Sequence, residues 1–458
     1  MTGGRYAAFD RLPPPIEYPP LGWPVGDAVL RPWFDWFALR AVVGWYFPLS
    51  RAWAAGVAAR GAVERFLPDG KSPVAADCRI ERALSVVERK RQAYEIANER
   101  WTEVFFGGRQ TTPSGLVECE MARALSAHDL MSERRSFVPL RRHVPPVKWS
   151  IAPPDAVAAK HERRRAGTDP AFPAPDVIEV EESRRVPSTL GREYWLRFPS
   201  PVIAPDDVAW AHVYEPAGGA CRSSILFLHG IGMEPEMWRG IVDPVNALVA
   251  RGFRVIRPEA PWHGRRCPPG YYGGEAIFAR GPLGFIDLLQ AWVGEVAAWV
   301  RWARRTGSER IAVGGVSLGA FTAQLAATAA RDWPSEMQPE ALILVATTGD
   351  VVTSVIRSAI PRKLGLEARM ADVGWRPGDF ERWRSLFEPS GEPVMDPERI
   401  VMLLGVADAV TPYEGGRALA QAWGVPPSNR FVRWQGHFSV SLGLYRDPAP
   451  LDRLVAVL

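Results

Sequence analysis

The residues with the most chemical content are the five in Gly315-Val316-Ser317-Leu318-Gly319. A Gly-x-Ser-x-Gly match alone says little, since a chain of 458 residues with 41 glycines meets it by chance in roughly one case in five. Its setting says more. The pentapeptide follows the apolar run Ile311-Ala312-Val313 and opens the helical run Ala320 to Arg331, the strand, sharp turn and helix that present a nucleophile. A serine on such a turn takes a strained backbone, and its hydroxyl stands at the carboxyl edge of a sheet, where open α/β folds bind ligands. The plainer alternative is a glycine-rich turn whose serine only caps a helix.

Serine attacks a carbonyl only when a base takes its proton. Of seven histidines, His437 in Trp434-Gln435-Gly436-His437-Phe438-Ser439 comes directly after the last expected strand, and it is the candidate base. His229 and His263 also follow core strands, but each precedes a glycine in a loop, where a histidine more often holds loop shape. His128, His143, His161 and His212 fall in a helix, a basic connector and an edge strand. The base needs an acid to fix its tautomer. Asp408 after the strand Ile400 to Leu404 fits that role, with Asp350 after the preceding strand as its competitor and a turn or cap aspartate as the plainer reading. A tetrahedral intermediate needs oxyanion donors, for which the backbone N–H groups of Leu318 and Ile231 are expected, with Gly232 as the alternate to Ile231.

These residues require a sheet to hold them. Short apolar runs at Ile225 to Leu228, Phe253 to Arg257, Ile311 to Val313, Leu342 to Val345, Ile400 to Leu404 and Phe431 to Trp434 alternate with helical patterns. Strands apolar throughout and separated by helices indicate a parallel sheet covered on both faces, an α/β fold. Val177 to Glu181, Tyr194 to Phe198 and Val208 to Tyr214 read as antiparallel strands at one edge. About 50 residues between Val345 and Ile400 are too many for a plain connection and predict a helical cap at about 348–398. Its Trp375, Phe380, Trp383, Leu386 and Phe387 either face a hydrophobic acyl or aryl group or anchor the cap.

The set His229-Gly230-Ile231-Gly232, Gly315-Val316-Ser317-Leu318-Gly319, Asp408 and His437, in this order, resembles the α/β-hydrolase superfamily, serine esterases and lipases in particular, over roughly residues 177 to 458. The resemblance implies an eight-stranded, mostly parallel sheet, an acyl-enzyme mechanism and an ester, thioester or amide substrate. In Arg257-Pro258-Glu259-Ala260-Pro261-Trp262-His263-Gly264 the chain lacks the aspartate with which many members begin this loop, which puts the usual loop anchoring in question. The N-terminal part resembles that of members with helical extensions, some of them lipid-directed.

Residues 1–176 read as that extension. A proline-rich arm to about residue 28 holds Pro13-Pro14-Pro15 and Pro19-Pro20. An aromatic, arginine-broken segment runs from Val29 to Leu67, and a helix from Asp77 is stopped by Gly107-Gly108. A basic connector, Ser132 to Asp176, crosses the surface. The aromatic segment is too often interrupted by charge to span a bilayer, so it packs on the core or, alternatively, makes a peripheral membrane contact.

The formal charge of +4, from 55 basic and 51 acidic residues, does not suggest a nucleic-acid partner. Four scattered cysteines suggest neither a metal nor a redox site. With no secretory signal in view, the expectation is a cytoplasmic, cofactor-free carboxylic-ester hydrolase acting on a small-molecule ester. A peptidase or amidase, an acyltransferase and a non-catalytic binding fold are the alternatives.

Overall fold

The computed structural model describes residues 26, 29–67, 78–218, 221–234 and 244–458. The Pro13-Pro14-Pro15 and Pro19-Pro20 arm and Asp77 lie outside the described residues.

Among the described residues ten strands form one sheet: β1 (Glu181–Glu182), β2 (Val186–Ser188), β3 (Gly191–Pro199), β4 (Val208–Pro216), β5 (Ser223–Leu228), β6 (Arg254–Pro258), β7 (Arg310–Val316), β8 (Ala341–Val345), β9 (Ile400–Gly405) and β10 (Arg430–Arg433). Their order is β1-β3-β4-β6-β5-β7-β8-β9-β10, with β2 also on β3. From β6 to β10 every pairing is parallel, while β1, β2 and β4 run antiparallel to β3 at one edge. The eight strands that the resemblance implies correspond to β3 to β10, and two short ones extend the edge; the strand expected at Val177 to Glu181 is reduced to Glu181–Glu182.

Side chains alternate across each strand, so an apolar run serves two cores at once. Leu226, Leu228, Leu342, Leu344, Met402 and Leu404 face one core. Their neighbours Ile225, Phe227, Ile343, Val345, Val401 and Leu403 face the other. The first core is covered by the helices Pro282–Arg305 and Leu318–Ala329, the second by Val245–Ala250 and Ala449–Val457. Pro282–Arg305 is long and apolar enough to cross a membrane, but 83% of its most apolar window is buried within the protein. Its Trp292 and Trp299 are fully enclosed.

The extension shares this first core. Helix Phe47–Ala59 is buried along nearly its whole length, whereas helix Pro32–Ala41 buries no residue, so the aromatic segment divides in two. Trp33, Trp36 and Phe37 are each about half exposed. Helices Cys78–Phe105 and Pro113–Ser132 pack together, and Thr112 caps the second by accepting from the Gly115 N–H (3.1 Å).

The expected surface connector at Ser132 to Asp176 is instead a structural layer. Phe137, Leu140 and Val157 reach the main core, and helix Pro154–Arg165 places the buried His161 3.0 Å from Asp287. Charge on the outer face masked the few apolar residues that point inward.

After β8, helices Val351–Arg357, Ala359–Leu364 and Leu366–Asp372 precede a 3-10 stretch at Asp379–Leu386. The four cap aromatics and Leu386 are all buried in the main core, and the Trp375 indole N–H donates to the Ala152 carbonyl (2.9 Å). They anchor the insertion, which removes the ground for assigning them to a substrate's acyl or aryl group.

Candidate active site

Ser317 sits between β7 and helix Leu318–Ala329 with φ 55° and ψ −116°. An L residue rarely adopts this backbone, so the surroundings must impose it. They do so by crowding. A Cβ on Gly315 would lie 2.5 Å from the Leu228 carbonyl oxygen, and one on Gly319 would lie 2.2 Å from it. Only glycine lets β7 and the helix close around the end of β5, and the Ser317 N–H is meanwhile fixed to the Val345 carbonyl (3.0 Å).

Three loops from the carboxyl ends of β7, β9 and β10 bring Ser317, Asp408 and His437 together. His437 Nε2 lies 3.0 Å from Ser317 Oγ, and Nδ1 lies 2.8 Å from Asp408 Oδ2. Asp408 Oδ1 accepts from the Val410 and Thr411 N–H groups (2.8 and 2.7 Å), and Oδ2 also accepts from the Thr411 hydroxyl (2.7 Å). With all of its donors supplied, the carboxylate is held as an acceptor, and His437 Nδ1 must carry the proton. Nε2 is then the lone pair facing Ser317. Burial alone would lower the pKa of His437, but the Asp408 charge and hydrogen bond, with a further contribution from Asp35, outweigh it and leave the pKa raised.

Asp350 is used elsewhere. It caps helix Val351–Arg357 by accepting from the Thr353 N–H (3.2 Å) and pairs with Arg384 (3.2 Å). The other histidines are equally engaged. His229 Nε2 accepts from the Ala260 N–H (3.0 Å), and His263 Nε2 accepts from the Gly232 N–H (3.1 Å). Burial pushes both imidazoles down, His263 to about 4, so both act as neutral braces between the loops after β5 and β6. His161 is on Asp287, His212 on Glu193 and Tyr214, and His143 on the Leu140 carbonyl, while His128 is exposed.

The bond to His263 occupies the Gly232 N–H, leaving Ile231 as the donor to consider in that loop. The loop comes close to the serine, since a Cβ on Gly230 would stand 3.7 Å from Ser317 Cβ. Leu318, the first residue of its helix, has no carbonyl of its own helix to which its N–H can bond. In the loop after β6, Glu259 supplies the anchoring that the missing aspartate put in question. Its carboxylate accepts from the Arg265 N–H (2.8 Å) and pairs with the Arg265 guanidinium (3.0 Å).

A model of the alpha/beta hydrolase family matches residues 225–455. The chain belongs to the alpha/beta hydrolase family. Membership supports a hydrolase as the class of activity. No curated protein matches this family member by sequence.

Among solved structures it is similar to a puromycin-hydrolyzing peptidase of Mycobacterium tuberculosis, at 18% identity over 57% of this chain and 38% of that one, TM-score 0.41. A cold-adapted esterase from an Arctic intertidal metagenomic library shares 15% identity over 63% and 100% of the two chains, TM-score 0.39. Acetyl xylan esterase 1 from Thermoanaerobacterium sp. shares 15% over 65% and 96%, TM-score 0.41. The chain spans about two fifths of the peptidase's length.

Among the described residues no group of three or more His, Cys, Asp or Glu side chains is arranged to hold a metal ion. Two contributors carry no sequence signature. The Thr411 hydroxyl supports Asp408, although Thr411-Pro412 reads only as a helix start. Asp35, in a segment whose composition draws attention to its aromatics, acts on the His437 loop from the far end of the chain.

Proposed function

We propose that the protein is a serine hydrolase of carboxylic esters, with Ser317 as nucleophile, His437 as general base and Asp408 as the group that orients and charges His437. The observation that carries this reading is the continuous hydrogen-bonded line from Asp408 Oδ2 through His437 to Ser317 Oγ, with the serine on a left-handed backbone at a strand-to-helix turn. In this reading His437 Nε2 takes the Ser317 proton as Oγ attacks the ester carbonyl, and the Ile231 and Leu318 N–H groups receive the developing oxyanion. His437 then protonates the leaving alcohol. Water, deprotonated by the same nitrogen, attacks the acyl-enzyme and releases the acid. No step calls for a cofactor.

The reading takes residues 177–458 as the catalytic unit, with the insertion at 348–398, and residues 1–176 as an extension. The wide sequence separation of Cys78, Cys119, Cys221 and Cys267 suits a reducing, cytoplasmic setting, and the half-exposed Trp33, Trp36 and Phe37 suit a peripheral membrane contact. Nitrophenyl esters of increasing chain length tested beside matched anilides examine the ester assignment. Turnover of the esters, lost in Ser317→Ala, supports it. Preferential anilide cleavage, or ester turnover that survives in Ser317→Ala, contradicts it.

A further inference from the structure

His437 opens a short helix, His437–Leu442, whose N-cap position is Gly436. A helix start leaves several backbone N–H groups without partners, and a glycine has no side chain to accept from them. The acceptor comes instead from Asp35, at the other end of the chain. Its Oδ1 accepts from the Phe438 N–H (2.5 Å) and the Ser439 N–H (3.2 Å), and its Oδ2 accepts from the Gly436 N–H (3.2 Å) and from the Ser439 hydroxyl. Gly436 is what admits it, because a Cβ there would stand 2.4 Å from Asp35 Cγ. A second tie lies alongside, where the Gln435 side chain donates to the Leu30 carbonyl (3.1 Å).

Helix Pro32–Ala41 thus grips both sides of the residue that must hold Nε2 at Ser317. None of its residues is fully buried, so its position is not explained by core packing alone. The charged groups that act on the imidazole are Asp408, in direct contact, and Asp35, at the start of the helix that His437 opens. We infer that Asp35 is a positioning residue for His437, and that the N-terminal extension thereby completes the active site rather than accompanying it. The inference rests on the proposed role of His437 as base.

The test is Asp35→Asn in the full-length chain, read as the rate of inactivation by a fluorophosphonate probe across pH. Asparagine keeps the shape but loses the charge and half of the acceptor capacity. The plateau rate is expected to fall about tenfold, the equivalent of losing one charge-assisted hydrogen bond. Without the Asp35 charge the neutral imidazole persists to lower pH, so the acid limb is expected to move down by about half a unit. Asp35→Glu keeps the charge on a longer arm and is expected to lower the plateau while leaving the limb in place. It also serves if the asparagine variant fails to fold, which thermal melting reports.

A wild-type plateau and limb in Asp35→Asn would overturn the inference. So would a lowered plateau with an unmoved limb, which is what loose helix docking alone produces. If Ser317→Ala is still labelled, the reading of the site itself has failed. If Ser317→Ala is inert while Asp35→Asn behaves as wild type, only the role of Asp35 has.

Discussion

Asp408→Asn separates tautomer control from mere support. Asp408 accepts four hydrogen bonds, two on Oδ1 from the Val410 and Thr411 N–H groups and two on Oδ2 from the Thr411 hydroxyl and His437. Asparagine has a single acceptor oxygen. Facing the two backbone donors, that oxygen satisfies them, and the amide NH2 then points at His437 Nδ1. A donor there forces Nδ1 to become the acceptor and moves the ring proton to Nε2, against Ser317 Oγ. In the proposed mechanism, His437 is then protonated on the nitrogen that has to be free. The loss of kcat/KM expected from such a tautomer change is about 10⁴-fold, or about 5 kcal/mol of transition-state stabilisation. Stability should change much less, because the backbone donors keep their partner. The assay is hydrolysis of a nitrophenyl ester from pH 6 to pH 10, paired with a thermal melt. A loss under tenfold with a folded protein would refute the assignment of Nδ1–H to Asp408 and the orienting role with it.

Other outcomes follow from the same geometry. Gly319→Ala drives a methyl group against the Leu228 carbonyl at 2.2 Å, and overpacking on backbone predicts a loss of about 3 kcal/mol in urea unfolding together with reduced activity; an unchanged midpoint would contradict it. Asp350→Ala removes a helix cap worth about 1 kcal/mol and an ion pair to Arg384 but no part of the site, so kcat/KM should stay near wild type.

His263, held near a pKa of about 4 by burial, stays neutral in the fold while the unfolded chain takes up a proton below about pH 6.5. Its contribution is therefore intact above that pH and declines as pH falls toward 4, by about 3 kcal/mol. Glu275, raised to about 7 by burial, works in the opposite direction, favouring the fold as pH falls from 7 to about 4.5. His263→Gln should flatten the acid loss of stability and Glu275→Gln should steepen it. Denaturant midpoints at pH 7 and pH 4.5 that shift equally in all three proteins would sink both assignments.

The central parallel strands were readable because they are apolar on two faces, as Ser223–Leu228 and Ile400–Gly405 are, whereas the edge strand Arg430–Arg433 is only partly buried. The positions of Asp408 and His437 followed from the rule that chemistry gathers at carboxyl ends of such strands. β1 and β2, of two and three residues, are too short to carry a period. Composition located the aromatics of the 348–398 insertion but not their direction, and direction is what distinguishes an anchor from a binding surface. Phe137 and Val157 were hidden among basic residues of the same segment such as the exposed Arg135, Arg142 and Arg163. Asp35 illustrates a different limit. It serves as a helix cap across more than 400 positions, and the local pattern that normally announces a cap is absent because Gly436 holds the place.

The central claim is that Ser317 is the nucleophile. Its most direct measurement is peptide mapping of the full-length protein after reaction with a fluorophosphonate probe. The account predicts one adduct per chain, on the peptide containing Gly315-Val316-Ser317-Leu318-Gly319, and none in Ser317→Ala. An adduct on any other residue, or an undiminished adduct in that variant, would contradict it.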